Sequence, residues 1–123
     1  MTNLLSDMLL HPGRWAGSCD QVVEEFLKTG YEQGIRRDGY WIGKTSGWGW
    51  QTPKRYQWRR DAKGRNAIHV WIERPDGSIV DPTRWVFEGV LPYIYRGKAD
   101  RHYRALPRGE RHPFPNDKEK TIA

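Results

Sequence analysis

Residues 67–85 read AIHVWIERPDGSIVDPTRW and contain the clearest local pattern in the chain. From Ile68 to Glu73, aliphatic residues alternate with His, Trp and Glu, which predicts a β-strand with one apolar face. The tripeptide at 75–77, Pro-Asp-Gly, is typical of a turn, and residues 78–81 return as a partner strand. The segment therefore predicts a β-hairpin.

The register of this hairpin decides whether the side chains of His69 and Asp81 can meet. In a three-residue loop with its bulge at Gly77, Arg74 pairs with Ser78, and His69 becomes the diagonal neighbour of Asp81 on one face. Diagonal neighbours lie roughly 7 to 8 Å apart at Cα, within reach of a hydrogen bond between a carboxylate and an imidazole. A two-residue Asp-Gly loop shifts the register by one residue and points the two side chains to opposite faces.

Two helical patterns precede the hairpin. Residues 3–10 place leucines and a methionine on one helical face, with Thr2 or Asn3 as N-cap, and the His-Pro-Gly sequence at 11–13 ends the pattern. A second pattern begins near Ser18 and ends at Gly30. Its apolar residues recur at helical spacing: Val22, Val23, Phe26 and Leu27. Cys19 then lies on the first turn of the second helix.

The remaining chain is less regular. Residues 34–50 are rich in glycine and aromatic residues and predict strand pieces and loops, whereas residues 51–65 hold six basic side chains against one acid. Residues 91–95 predict a further strand. Residues 107–123 combine prolines with many charges and predict a weakly ordered tail, which leaves residues 1–106 as a single domain.

The cysteine and histidine content limits the chemistry. A single cysteine, Cys19, excludes an internal disulfide and any zinc site built on several thiolates. No metal-ligand spacing links His11, His102 and His112, and no acidic cluster of the calcium-binding kind is visible. We therefore expect no metal and no cofactor.

The charge and hydropathy of the chain bear on location and partners. No apolar run approaches the roughly 20 residues needed to cross a bilayer, and the N-terminal residues lack the basic region and cleavage site of a signal peptide. Together with the lone thiol, this predicts a cytoplasmic protein without a membrane partner. The formal net charge of +6 permits an anionic partner without establishing one. The sequence indicates no oligomeric state.

Three residues together have the chemistry of a thiol nucleophile. Such a site needs a cysteine where its thiolate is favoured, an imidazole to accept the proton, and a carboxyl or amide group to orient the imidazole. Cys19 opens a predicted helix, where the backbone N–H groups favour an anion. His69 and Asp81 lie on the two strands of the predicted hairpin.

The segments around these residues resemble a known family. GSCDQVVEEFLKTGYEQGI at 17–35 and HVWIERPDGSIVDPT at 69–83 are similar to the Cys and His/Asp segments of the transglutaminase-like branch of the papain-like cysteine peptidases and acyltransferases. The resemblance implies an α+β fold in which a helix bearing Cys19 packs on an antiparallel sheet bearing His69 and Asp81. It also implies that these three residues are the nucleophile, the general base and acid, and the orienting carboxylate.

The resemblance also implies a second donor for the oxyanion, and it leaves positions where this chain differs from the family. We assign the second donor to the indole N–H of Trp15, and we interpret Trp71 as packing or substrate contact. Asp20 follows the cysteine where family members often have an aromatic residue, and its charge opposes a neighbouring thiolate.

The family members share a thioester intermediate, which either water or an amine resolves. We expect hydrolysis of a peptide or protein amide, with amine transfer as an alternative. Another alternative is a non-catalytic module that binds nucleic acid or protein: Trp48, Trp50, Tyr56 and Trp58 are interleaved with basic residues that could hold phosphates. We expect such nucleic-acid binding to be at most weak. An inactive scaffold is a third interpretation.

Overall fold

A five-stranded antiparallel sheet organises the protein, whose computed structural model describes residues 3–43 and 67–113. The sheet order is β4-β3-β2-β1-β5, and within the described residues the fold class is α+β. The strands are β1 (Ile35–Trp41), β2 (Ala67–Glu73), β3 (Ile79–Asp81), β4 (Tyr95–Gly97) and β5 (Tyr103–Ala105). The helices are α1 (Leu4–Leu10), α2 (Cys19–Lys28) and α3 (Arg84–Glu88), with a 3₁₀ turn at Pro12–Trp15.

The first two helices begin and end as their sequence predicts. Asn3 is the N-cap of α1, and its side-chain oxygen accepts a hydrogen bond from the backbone N–H of Ser6 at 2.7 Å. Helix α2 starts at Cys19, and Gly30 follows its end with a φ of 76°, a left-handed conformation that glycine adopts without strain. Both helix predictions are confirmed.

The hairpin of β2 and β3 has the three-residue loop. The backbone N–H of Arg74 donates to the carbonyl of Ser78 at 2.8 Å, and the N–H of Gly77 donates to the carbonyl of Arg74 at 2.9 Å. Ile72 pairs with Val80, so the same register places Trp71 opposite Asp81. This loop puts His69 and Asp81 on the same face.

The main core joins α2 to one face of the sheet. Its fully or nearly fully buried members are Val22, Val23 and Phe26 of α2 with Val70, Ile72 and Val80 of the hairpin. Burying a side chain of this size contributes about 1.5 to 3 kcal/mol. This packing fixes the position of α2 against β2, and with it the position of the helix N-terminus.

The second face of β2 is also buried, although the alternation predicted a single apolar face. His69 is 0% exposed and Trp71 is 2% exposed. Their neighbours are aromatic: Trp41 of β1, Phe87 of α3 and Tyr103 of β5. When His and Trp occupy the second face, the sequence does not distinguish a strand buried on both faces from a strand buried on one face.

The strand predicted at residues 91–95 is wrong in position. The structure forms β4 at Tyr95–Gly97, and the Leu91–Pro92 peptide bond is cis. Pro92 has no N–H to donate to a sheet. Tyr93 instead packs its ring edge-to-face against Trp85, with the ring centroids 5.3 Å apart.

The described part of the predicted tail packs on the sheet. His112 is 7% exposed, its backbone N–H donates to Asp38 at 3.0 Å, and its Nε2 donates to the carbonyl of Gly39 at 2.6 Å. Arg108 forms an ion pair with Glu73 at 2.8 Å. Packing against β1 therefore continues past residue 106, as far as residue 113; residues 114–123 lie outside the described residues.

None of the helices in the described part of the chain is long and apolar enough to span a membrane.

Candidate active site

His69 and Asp81 form a direct buried pair. His69 Nε2 lies 2.6 Å from Asp81 Oδ2, and both side chains are 0% exposed. The pair connects neighbouring strands, since His69 is in the first half of β2 and Asp81 is the last residue of β3. The hydrogen bond predicted from the three-residue loop is thus formed.

Cys19 meets this pair at the N-terminus of α2. Cys19 is 7% exposed, and its sulfur lies close enough to His69 to favour the protonated imidazole. Because Asp81 occupies Nε2, the ring nitrogen left for the sulfur is Nδ1. That nitrogen is buried and makes no hydrogen bond to any of the described residues. The structure therefore brings Cys19, His69 and Asp81 together in the predicted order.

The surroundings of His69 favour its charged form. Burial by itself lowers the pKa of an imidazole, because a low-dielectric environment penalises charge. The interactions of His69 with Asp81 and Cys19 together outweigh burial, so the pKa of His69 is raised from 6.5 to about 9. His69 is accordingly an imidazolium near neutral pH, held between a carboxylate and a sulfur.

Asp81 accepts two further hydrogen bonds that orient its carboxylate. The backbone N–H of Thr83 donates to Oδ1 at 3.0 Å, and the hydroxyl of Tyr103 donates to Oδ2 at 2.7 Å. Oδ2 therefore serves two donors, Tyr103 and His69. Sequence reasoning missed Tyr103, because it lies 22 residues beyond Asp81 and arrives only through the pairing of β5 with β1.

Aromatic rings enclose the imidazole of His69. The nearest ring centroid is that of Phe87, 4.8 Å away, followed by Trp71 at 5.6 Å, Tyr103 at 6.0 Å and Trp41 at 6.3 Å. This enclosure lowers the local dielectric, which strengthens the attraction between His69 and Asp81. Trp71 is therefore a packing residue; at 2% exposure it offers no surface for substrate contact.

The predicted oxyanion role of Trp15 is not supported by its hydrogen bonding. Its indole N–H donates to Asp7 Oδ2 at 2.9 Å, and Arg14 donates to Oδ1 of the same carboxylate at 2.8 Å. The indole has only this one donor. The indole N–H of Trp15 is thus bonded to α1. The sequence could not identify Asp7 as its partner, because the chain has several carboxylates that could accept this hydrogen bond.

A charged network borders the site next to Tyr103. Arg84 donates to Glu88 at 2.7 Å, forms an ion pair with Asp100 at 3.1 Å and lies over the ring of Tyr95 at 4.2 Å. Its guanidinium also reaches the hydroxyl oxygen of Tyr103 at 3.5 Å. The carboxylates keep Arg84 fixed and charged beside the triad.

The basic aromatic segment falls within residues 44–66, outside the described residues, and its predicted binding role stays a prediction. Among residues 3–43 and 67–113, no group of three or more His, Cys, Asp or Glu side chains is arranged to hold a metal ion.

Comparison of the chain with models of protein families, with curated proteins and with solved structures finds no match.

Proposed function

We propose that the protein is a thiol-dependent amide or peptide hydrolase of the transglutaminase-like type, acting through Cys19, His69 and Asp81. The observation that supports this most strongly is the arrangement around His69. One ring nitrogen is bound to a buried carboxylate, and the other is left for the only thiol of the chain, at a helix N-terminus. A thiol nucleophile, an imidazole base and a carboxylate that orients the imidazole are the groups needed to form and hydrolyse a thioester intermediate.

In the proposed reaction Cys19 is acylated first. Its thiolate attacks the amide carbon, and a C–S bond forms while the carbonyl oxygen becomes an oxyanion. As the C–N bond breaks, protonated His69 gives its Nδ1 proton to the leaving amine. The products of this half-reaction are a thioester on Cys19, a free amine and neutral His69.

Water completes the cycle in the second half-reaction. Neutral His69 takes a proton from water as the oxygen attacks the thioester carbon, and the C–S bond breaks to release the carboxylic acid. The thiolate and the imidazolium are restored. Water is the favoured acceptor because, unlike an amine, it needs no binding site of its own.

The first turn of α2 supplies a donor for the oxyanion. Ser18 is the N-cap, yet its side chain makes no capping hydrogen bond. The backbone N–H groups at the start of a helix have no partner within the helix and carry partial positive charge. We therefore assign the N–H of Cys19 as a donor to the oxyanion that develops next to its own side chain.

Mass spectrometry of peptide substrates tests this proposal. The full chain is incubated with a mixed peptide library containing glutamine residues, with and without a labelled primary amine, and the products are followed by mass together with released ammonia. We expect cleaved or deamidated peptides, formed by the wild type and not by Cys19→Ala.

The alternative functions give other products in the same assay. Stable incorporation of the amine that depends on Cys19 would make the protein an acyltransferase. Absence of any product dependent on Cys19, in a chain whose circular dichroism shows a native fold, would overturn the enzymatic proposal in favour of an inactive scaffold or a binding module.

A further inference from the structure

Tyr103 is half-buried beside the triad without belonging to the three residues of the proposed reaction. Its hydroxyl donates to Asp81 Oδ2 at 2.7 Å, the same oxygen that accepts the His69 Nε2 hydrogen bond at 2.6 Å. Two donors on a single carboxylate oxygen share its negative charge. The interaction of each donor with that oxygen is weaker than it would be alone.

The direction of the Tyr103 hydrogen bond is fixed by its neighbours. A tyrosine hydroxyl has one proton to donate, and an arginine has donors only. Arg84, 3.5 Å from the Tyr103 oxygen, therefore leaves the hydroxyl proton to Asp81. Burial and the charge of Asp81 raise the pKa of Tyr103 well above its usual value, so the hydroxyl keeps its proton throughout the range in which His69 titrates.

We propose that Tyr103 is a positioning residue for the proposed hydrolysis: its hydroxyl fixes the Asp81 carboxylate and shares its charge, which keeps protonated His69 acidic enough to give its proton to the leaving amine. The inference rests on the proposed function for its role in catalysis. The coupling from Tyr103 through Asp81 to His69 is a property of the folded chain and is measurable without turnover.

Removing the Tyr103 hydroxyl changes the basicity of His69 in one direction. In Tyr103→Phe, Oδ2 of Asp81 has a single donor, so its full charge acts on the imidazolium, and the pKa of His69 rises. A hydrogen bond to a charged group is stronger than one between neutral groups. Its loss at Asp81, passed on in part to His69, predicts a rise in the His69 midpoint of about half a pH unit or more.

Other charged groups face the site and have to stay constant in the comparison. Among the described residues they are Cys19 at the start of α2, followed there by the buried Asp20, Asp81 on β3, Arg84 and Glu88 on α3, and Asp100 and His102 before β5. A Tyr→Phe change leaves their charges intact. Tyr95→Phe is a matched control: Tyr95 is the strand partner of Asp81, but its hydroxyl donates to the carbonyl of Lys98 at 2.7 Å and, among the described residues, forms no hydrogen bond with the Asp81 carboxylate.

The experiment is a pH titration of the histidine rings by nuclear magnetic resonance in the full chain. The four histidines are assigned with single-site variants, and the His69 midpoint is followed in the wild type, Tyr103→Phe and Tyr95→Phe. We expect a midpoint near 9 in the wild type, a higher midpoint in Tyr103→Phe and the wild-type value in Tyr95→Phe. An unchanged or lowered midpoint in Tyr103→Phe overturns the inference.

Activity provides a second, separable readout. If peptides are hydrolysed, kcat in Tyr103→Phe falls while KM stays near its wild-type value, because the lost hydroxyl is the one that donates to Asp81 of the triad. If no peptide is hydrolysed but the His69 midpoint rises as expected, the proposed function fails while the coupling of Tyr103 to His69 stands. The two failures are thereby distinguished.

Discussion

Replacing His69 with glutamine is expected to lower kcat/KM for amide hydrolysis about 1000-fold or more, the largest effect on activity we predict for a change other than removal of the thiol. Gln is close to His in size and retains an N–H that can donate to Asp81. It cannot carry a proton from the thiol to the leaving amine. Steady-state kinetics on a peptide identified as a substrate measure the effect.

Two companion variants identify the cause of that loss. Asp81→Asn leaves a group that can still accept a hydrogen bond from His69 Nε2 through its carbonyl oxygen, and we expect a smaller loss than in His69→Gln. His11→Ala changes an exposed histidine outside the site and is expected to leave kcat/KM unchanged. Retention of more than a tenth of the wild-type kcat/KM in a folded His69→Gln variant would contradict the role of His69 as general acid and base.

Replacing Gly39 with alanine is expected to destabilise the folded chain by roughly 3 kcal/mol, the largest effect on stability that we predict for a single methyl group. Gly39 lies in β1 between His69 on β2 and Ala105 on β5. An added Cβ would lie 2.7 Å from the Trp71 ring and 2.8 Å from the Cα of Ala105, and it would also collide with the backbone carbonyl of Arg104. Backbone on one side and a buried ring on the other cannot both move away.

Gly13→Ala is the matched control for this prediction. A Cβ at Gly13 meets nothing within 4 Å, so we expect a change within about 0.5 kcal/mol. Urea unfolding followed by tryptophan fluorescence measures both variants. If Gly39→Ala were as stable as Gly13→Ala, the close approach of β1, β5 and Trp71 would be wrong.

Local sequence patterns were sufficient for the elements that carry the triad. The Pro-Asp-Gly turn limited the hairpin to two registers and left the choice open; the structure has the three-residue loop with Gly77 at a positive φ, in which His69 and Asp81 share a face. The start of α2 at Cys19 followed from the spacing of its apolar residues. These features depend on residues within about ten positions of each other, where backbone geometry limits the possibilities to a few.

Contacts between segments far apart in the sequence could not be predicted from local patterns. Tyr103 reaches Asp81 only because β5 pairs with β1 across the sheet, and His112 reaches Gly39 only because the chain returns over that strand. Neither segment has a periodic pattern that indicates burial. The indole of Trp15 was misassigned for a different reason: its partner Asp7 is only eight residues away, but the bond depends on how the 3₁₀ turn folds back on α1, which residue spacing does not show.

The central claim, that Cys19 and His69 act as a thiolate and imidazolium pair, is tested most directly by the pH dependence of Cys19 alkylation. Cys19 is the only cysteine, so uptake of iodoacetamide by the intact chain reports on this sulfur alone. The sulfur is expected to be equally buried in the wild type and in the His69 variant, so burial affects both rates alike. Burial therefore changes the absolute rate and leaves the comparison between variants intact.

The imidazolium of His69 persists up to its raised pKa of about 9, so it can stabilise a neighbouring thiolate throughout the neutral range. We predict that at pH 7 the wild type is alkylated about tenfold faster than His69→Gln, because the imidazolium attracts negative charge on the sulfur. This advantage is expected to shrink above pH 9, where His69 loses its proton. Superimposable profiles for the two proteins would contradict the pair and, with it, the proposed mechanism.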